Sequence, residues 1–132
     1  GNSELENYLD DAAKTQHRRV VPEPAPEKGL YYRSDHFSFA RVGVPALYLT
    51  TATDSIEHGK AWGDQRLADY YARDYHKPSD EYDPNWDLTG ASQDVMLLYM
   101  IGAKLSSNRD FPNWKAGNEF KATRDASMDA SH

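Results

Sequence analysis

Histidines are the residues of this sequence best suited to bind a metal or carry a proton. The chain contains five, and no two have the close spacing of a motif such as H-E-x-x-H, so the sequence predicts no complete local metal site. We interpret His17, at the end of a predicted helix, and His132, at the C-terminus, as incidental. His36, His58 and His76 remain candidates, because they lie in loops or at the ends of elements, where sites are usually built.

His76 has the most suggestive neighbourhood of the three. Tyr75 precedes it, Pro78 stiffens the following turn, and Asp80 is close enough along the chain to orient an imidazole or to cap the next turn. An imidazole held in this way is a suitable zinc ligand, and the adjacent phenol could donate a hydrogen bond to a developing oxyanion. The alternative interpretation is a surface turn in which Tyr75 and His76 pack and Asp80 caps.

Ser34, Asp35 and His36 contain the three residue types of a serine-hydrolase triad. Side chains of adjacent residues point apart, however, and triad members must converge. We therefore do not interpret this tripeptide as a serine-hydrolase site.

Four ordered blocks of the sequence resemble a known family. The blocks are YYRSDHFSF at 31–39, GVPALYL at 43–49, EHG at 57–59 and YHKPSDEYD at 75–83. They are similar to the C-terminal part of the two-zinc, or co-catalytic, aminopeptidase family. That family includes aminopeptidase Y, bacterial leucyl aminopeptidases and the catalytic domain of glutamate carboxypeptidase, with glutaminyl cyclases as relatives.

The resemblance implies a role for each matching residue. His76 corresponds to the last zinc ligand in chain order, and Tyr75 to a residue that stabilises the tetrahedral intermediate in some members. Asp35 and His36 correspond to supporting residues near the site, and Asp80 belongs to the same block as His76. The implied function is hydrolysis of peptide bonds by water activated between two zinc ions, in a protein located in the periplasm or outside the cell.

The family's other metal ligands and its general base have no counterpart in these residues. One histidine cannot hold zinc in a site that needs three or four protein ligands. The chain also begins at Gly1 without an initiating Met, so we expect a fragment that is inactive alone and lacks the N-terminal part of its domain. The alternatives are a non-catalytic binding module or a glutaminyl cyclase-like enzyme, although Ser34 and Tyr75 replace an acidic residue and a Trp that are typical of cyclases.

Composition excludes several classes of protein. The net charge of −6 without a basic run argues against nucleic-acid binding, and the longest apolar stretch, 95–101, is too short to cross a membrane. Zero Cys excludes disulfides and thiolate metal sites. The chain contains few Leu, Ile, Val and Phe residues, which predicts that it can form only a small hydrophobic core by itself.

The pattern of apolar residues predicts the elements that must position these side chains. It predicts a capping box at Ser3 and Glu6 that opens the first helix, and the apolar run at 44–50 is typical of a strand covered on both faces. The predicted helices are 4–16, a short one carrying Phe37 and Ala40, 64–72, 90–107 and a terminal one within 111–120; the predicted strands are 19–21 and 44–50.

Together with the resemblance, these elements predict an α/β fold, the C-terminal portion of a mixed-sheet, three-layer αβα zinc-exopeptidase domain of the phosphorylase/hydrolase-like type. We expect residues 1–108 to belong to that domain and 109–132 to form a partly disordered extension, with fraying from 126 onward. The loop 51–63, with His58 and Trp62, would line a peptide-binding cleft, or else be a polar surface loop anchored by its Trp. Exposed sheet edges of such a fragment predict self-association.

Overall fold

The computed structural model describes residues 2–23, 26–50 and 52–130, and its regular structure is helical. These residues form five α-helices, which are α1 Leu5–Thr15, α2 His36–Ala40, α3 Lys60–Arg73, α4 Thr89–Ser107 and α5 Lys121–Asp129. They also form two 3-10 turns between α1 and α2, at Pro26–Lys28 and Leu30–Arg33. Among the described residues, no helix is long and apolar enough to cross a membrane.

The predicted mixed α/β sheet is wrong for the part of the chain that the structure describes. Within the described residues, neither 44–50 nor 19–21 forms a strand, and the bridges found there are two isolated ones, Ser3 with Trp114 and Ser55 with Gly59. An apolar run indicates burial, but a strand also needs a neighbouring backbone to accept and donate its hydrogen bonds. None of the described segments supplies that neighbour, so the three-layer αβα architecture does not form here.

The described residues fall into two compact units. One unit runs up to Tyr48 and resumes at Thr89, and the other runs from Leu49 to Leu88. In the first unit, α1 packs lengthwise on α4, with Leu9, Ala12 and Ala13 buried on α1 and Leu97 and Ile101 buried on α4. The contact of the two helices is flanked by ion pairs: Arg18 lies 2.7 Å from Asp94, and Lys104 lies 3.2 Å from Asp11.

A second buried cluster in the same unit centres on Trp114. Its side chain is 1% exposed, packs with Ala40 and Phe120, and donates a hydrogen bond from Nε1 to the carbonyl of Gly43 over 2.9 Å. Gly43 has φ +88°, and a Cβ there would lie 2.8 Å from the backbone nitrogen of Arg124. Glycine is therefore required at this approach of two backbones.

The chain ends differ from their predicted form. The hydroxyl of Ser3 is buried and donates to the carbonyl of Ala46, and Glu6 accepts from the backbone N–H of Asn2, so the predicted capping box does not form. The terminal helix lies at Lys121–Asp129 instead of within 111–120, and residues 126–129, expected to fray, belong to it. His132 lies outside the described residues.

The second unit is built on α3, none of whose residues is fully buried. The helix begins four residues earlier than the predicted 64, so Trp62 lies in its first turn rather than in a loop. Gly63 lies so close to the carbonyl of Thr53 that a Cβ would clash with it, and the Thr53 hydroxyl donates to Asp64 over 2.5 Å. These contacts hold the preceding loop against the start of α3.

Candidate functional site

Tyr75 and His76 lie on the turn that follows α3. The backbone N–H groups of Asp74 and Tyr75 both donate to the carbonyl of Tyr70, at 2.8 and 3.0 Å, which ends the helix. His76 then takes a left-handed conformation with φ 57°, uncommon for a residue with a Cβ. Residues held in such conformations often occur at functional sites, where the surrounding structure maintains them.

The side chains of Tyr75 and His76 stack on each other. Their ring centroids are 3.9 Å apart and their planes are inclined by 18°. The Tyr75 ring also meets Tyr71 edge to face at 4.8 Å, so α3 supports the stack from below. Both residues are exposed. The imidazole is thus fixed through its face, while its nitrogen-bearing edge remains free of the stack.

Asp80 braces this turn through Tyr70 rather than through His76. The Tyr70 hydroxyl donates to Asp80 Oδ2 over 2.8 Å, and this hydrogen bond raises the pKa of Tyr70 above its ordinary value. The Tyr70 ring in turn contacts Tyr75 at 5.8 Å. Asp80 therefore acts on the stack indirectly, by fixing the segment after His76 to the helix before it.

Lys77 and Ser79 cap the end of α3 from the same turn. The Lys77 ammonium donates to the carbonyl of Ala72, and the Ser79 hydroxyl donates to the carbonyl of Arg73 over 2.9 Å. A cation at this end also complements the helix dipole. The segment Lys77–Asp80 thus ties the His76 turn to α3 at three points.

His58 and Trp62 form a second pair within the same unit. Their rings are 4.5 Å apart and tilted, Glu57 lies 3.7 Å from His58 Nε2, and the Arg66 guanidinium lies over the Trp62 ring at 5.9 Å. All four side chains are exposed. The pair presents an aromatic surface with a carboxylate, that of Glu57, and a guanidinium, that of Arg66, beside it. Its place in a substrate cleft stays a prediction.

Asp35 and His36 lie in the first unit, at the start of α2. His36 is half-buried between Tyr31, edge-on at 4.4 Å, and Tyr48, stacked at 4.9 Å. Asp35 is exposed and its side chain makes no cap hydrogen bond to α2. The Ser34 hydroxyl points to the carbonyl of Leu30, so these three residues form no triad.

The aromatic surroundings of His36 contain two polar atoms without a hydrogen-bond partner among the described residues. They are His36 Nε2 and the Tyr31 hydroxyl, both buried. Burial raises the pKa of Tyr31 to about 12. Buried polar atoms are nearly always hydrogen-bonded, so both are available to a polar partner.

The structure thus pairs some of the predicted site residues and leaves others apart. In one unit, the rings of Tyr75 and His76 are in contact, as are those of His58 and Trp62, while Asp80 accepts a hydrogen bond from Tyr70. In the other unit, Asp35 and His36 are neighbours in the chain. Sequence reasoning missed the supporting tyrosines, namely Tyr31, Tyr48, Tyr70 and Tyr71. The four-residue spacing of Tyr71 and Tyr75 at the end of a predicted helix was the signal for one of them.

A complete zinc site does not exist within the described residues. They contain no group of three or more His, Cys, Asp or Glu placed to hold a metal ion. Zinc in proteins takes three or four such ligands. The residues present therefore do not fit a self-sufficient zinc centre, although His76 is suitable as a single ligand.

Comparison with known families defines the class of protein. The family model for peptidase family M28 matches residues 1–100, and the chain therefore belongs to peptidase family M28. Members of this family are generally zinc-dependent peptidases, which makes the chain part of a hydrolase family and confirms the predicted family of metallopeptidases. Neither the curated proteins nor the solved structures gave a match, so no individual member is singled out.

Proposed function

We propose that this chain is the His76-bearing part of a zinc-dependent exopeptidase of the aminopeptidase type. In this proposal His76 supplies one metal ligand, Tyr75 supplies a hydrogen-bond donor to the oxyanion, and a peptide is the substrate. The observation that carries the proposal is the stack of Tyr75 on His76 at 3.9 Å, on a left-handed turn tied to α3. The family match over residues 1–100 supports the same class of reaction.

The chain's own residues have a positioning role that follows from their contacts. The face of Tyr75 restricts rotation of the imidazole, and the Tyr70–Asp80 hydrogen bond fixes the path of the backbone after it. Restricting a ligand before it binds lowers the entropy lost on binding. The turn is therefore suited to present one imidazole edge in a fixed direction, and the remaining ligands must come from polypeptide beyond these residues.

The proposal is tested on the full-length protein by metal content and by hydrolysis of aminoacyl p-nitroanilides. His76→Ala is expected to lose bound zinc and peptidase activity together. His17→Ala is the matched control, because His17 is also an exposed histidine in a left-handed conformation after a helix, with φ 55°, and has no assigned role in the site. Full zinc content and activity in His76→Ala would refute the proposal.

A second candidate is a non-catalytic binding module within the same family. The absence of a three-ligand cluster among the described residues favours it. The two candidates differ in the upstream sequence, because only the enzyme needs a His, an Asp, a Glu pair and a further Asp there. Cyclisation of N-terminal Gln peptides by the full-length protein would instead identify a glutaminyl cyclase-like enzyme.

A further part of the proposal is that the full-length protein acts in the periplasm or outside the cell. It rests on the family alone, whose members are often secreted. Cell fractionation with detection of the protein by antibody tests it, and recovery in the cytoplasm alone would refute it.

A further inference from the structure

The two units of the chain differ in how many of their side chains are buried. All the buried side chains among the described residues belong to the first unit, and they are Ser3, Leu9, Ala12, Ala13, Ala40, Leu97, Ile101, Trp114 and Phe120. Between Leu49 and Leu88, none of the described residues is buried. Burial of apolar surface is the dominant favourable term in folding, so the unit that carries His76 has little of this term to stabilise it.

The hydrogen bond that braces the His76 turn is short in sequence range and lies at the surface. It runs from Tyr70 to Asp80, is exposed and joins residues 10 positions apart. In the first unit, the hydrogen bond from Trp114 to Gly43 is buried and joins residues 71 positions apart. Because water competes for exposed hydrogen bonds, the Tyr70–Asp80 bond fixes the local shape of the second unit without adding much to its stability.

Helix α3 is short for a helix without a buried side chain. It has 14 residues, and isolated helices of fewer than about 12–15 residues are only marginally stable in water. Its largest apolar side chains are all between 37% and 50% exposed, and they are Trp62, Leu67, Tyr70 and Tyr71. By contrast, Leu97 on the 19-residue helix α4 is 2% exposed. Helix α3 therefore gains less from packing than α4 does.

The buried clusters of the first unit contain no residue from 49–88. This unit consists of two parts of the chain, one before and one after those residues. The packing of α1 on α4 and the hydrogen bond from Trp114 to Gly43 both join the first part to the second. Unfolding of 49–88 therefore removes no contact from within either buried cluster of the first unit.

We propose that residues 49–88 open as one unit while the first unit stays folded, and that polypeptide outside this chain orders them in the full-length protein. Proteins commonly open part by part, and a segment with few buried apolar contacts opens at low free energy. The second half of the proposal rests on the proposed function, in which the remaining metal ligands come from that polypeptide. Completion of the metal site and ordering of the His76 turn are then coupled.

Hydrogen–deuterium exchange followed by mass spectrometry on the 132-residue chain tests the first half of the proposal. The backbone amides of α3 are expected to exchange at least about 100-fold faster than the central amides of α4, because α3 opens without global unfolding. Equal protection of the two helices would overturn the proposal.

Two matched substitutions test whether the units open separately. Leu97→Ala removes a buried side chain from α4, and Leu67→Ala removes a half-exposed one from α3. Leu97→Ala is expected to speed exchange in α1 and α4 and to leave α3 within about twofold of wild type, whereas Leu67→Ala should affect α3 alone. Ile101→Val is the milder substitution in α4 if Leu97→Ala does not fold. Parallel changes in both units would show that they unfold together and would overturn the proposal.

Exchange in the full-length protein tests the second half of the proposal. Helix α3 is expected to be at least about 100-fold better protected there than in the 132-residue chain. Equal exchange of α3 in the two proteins would overturn this half. The result is distinct from the test of the peptidase function, because exchange measures order and not zinc content or hydrolysis. Protection of α3 together with full zinc content and activity in His76→Ala would refute the proposed function and support the ordering of 49–88.

Discussion

The ring of Tyr75 lies almost parallel to the imidazole of His76, with 3.9 Å between their centroids and 18° between their planes. The two residues are adjacent in the chain, where side chains ordinarily diverge. The left-handed conformation of His76 accompanies their convergence, and Tyr71 supports the stack from α3. A phenol and an imidazole are thereby held side by side on an exposed turn, which suits one to bind a metal and the other to donate a hydrogen bond.

Removal of the Tyr75 hydroxyl tests its proposed part in the reaction. In the full-length peptidase we expect Tyr75→Phe to lower kcat by about 10²–10³-fold with little change in KM, because an oxyanion donor acts mainly in the transition state. The phenylalanine ring keeps the stack, so zinc content should be unchanged. Steady-state kinetics with Tyr71→Phe as the control measure this. Equal kcat values for the two variants would show that Tyr75 only packs.

The burial of Tyr31 predicts a loss of stability at high pH. Its pKa is raised from 10.0 to about 12, because burial disfavours the phenolate. The fold favours the neutral form, so its stabilising contribution is complete below pH 10 and is lost as the pH rises towards 12. Thermal unfolding followed across this range should show a smaller decrease in stability for Tyr31→Phe than for wild type. Identical pH profiles would contradict the assignment.

The position of Trp114 predicts that the segment beyond the family match belongs to the core. Residues 1–100 match the family, yet Trp114 is 1% exposed and bonds to Gly43. Trp114→Ala should destabilise the first unit by about 3–5 kcal/mol, as large-to-small core substitutions do. Trp62→Ala, at a half-exposed Trp, should cost less than about 1 kcal/mol. Urea unfolding followed by circular dichroism distinguishes them, and equal costs would contradict the buried position of Trp114.

Helices α1 and α4 were predictable because their signals are local. The apolar spacing of Leu5 and Leu9 and the run around Leu97 predicted α1 and α4 to within a residue or two at each end. The strand at 44–50 was not predictable in the same way. Its apolar side chains indicate burial, but pairing depends on a second segment whose presence the run itself does not encode. Tertiary contacts likewise took Ser3 away from the predicted capping box and towards Ala46.

Candidate site residues could be chosen from the sequence, but their contacts could not be predicted. Tyr75 and His76 stood out because an imidazole beside a phenol, before a proline, has obvious chemistry. The partner of Asp80 could not be predicted, because Tyr70 meets it only where α3 ends and the chain reverses. His36 was found as a loop histidine, but its position between Tyr31 and Tyr48 depends on residues up to twelve positions away.

The central claim is that this chain carries one ligand of a zinc site that is completed by other polypeptide. Calorimetric titration of the 132-residue chain with zinc, alongside His76→Ala and His58→Ala, tests it most directly. We expect weak, non-stoichiometric binding, since the described residues contain no three-ligand group. Stoichiometric submicromolar binding by the chain alone, lost in His76→Ala and retained in His58→Ala, would contradict the claim.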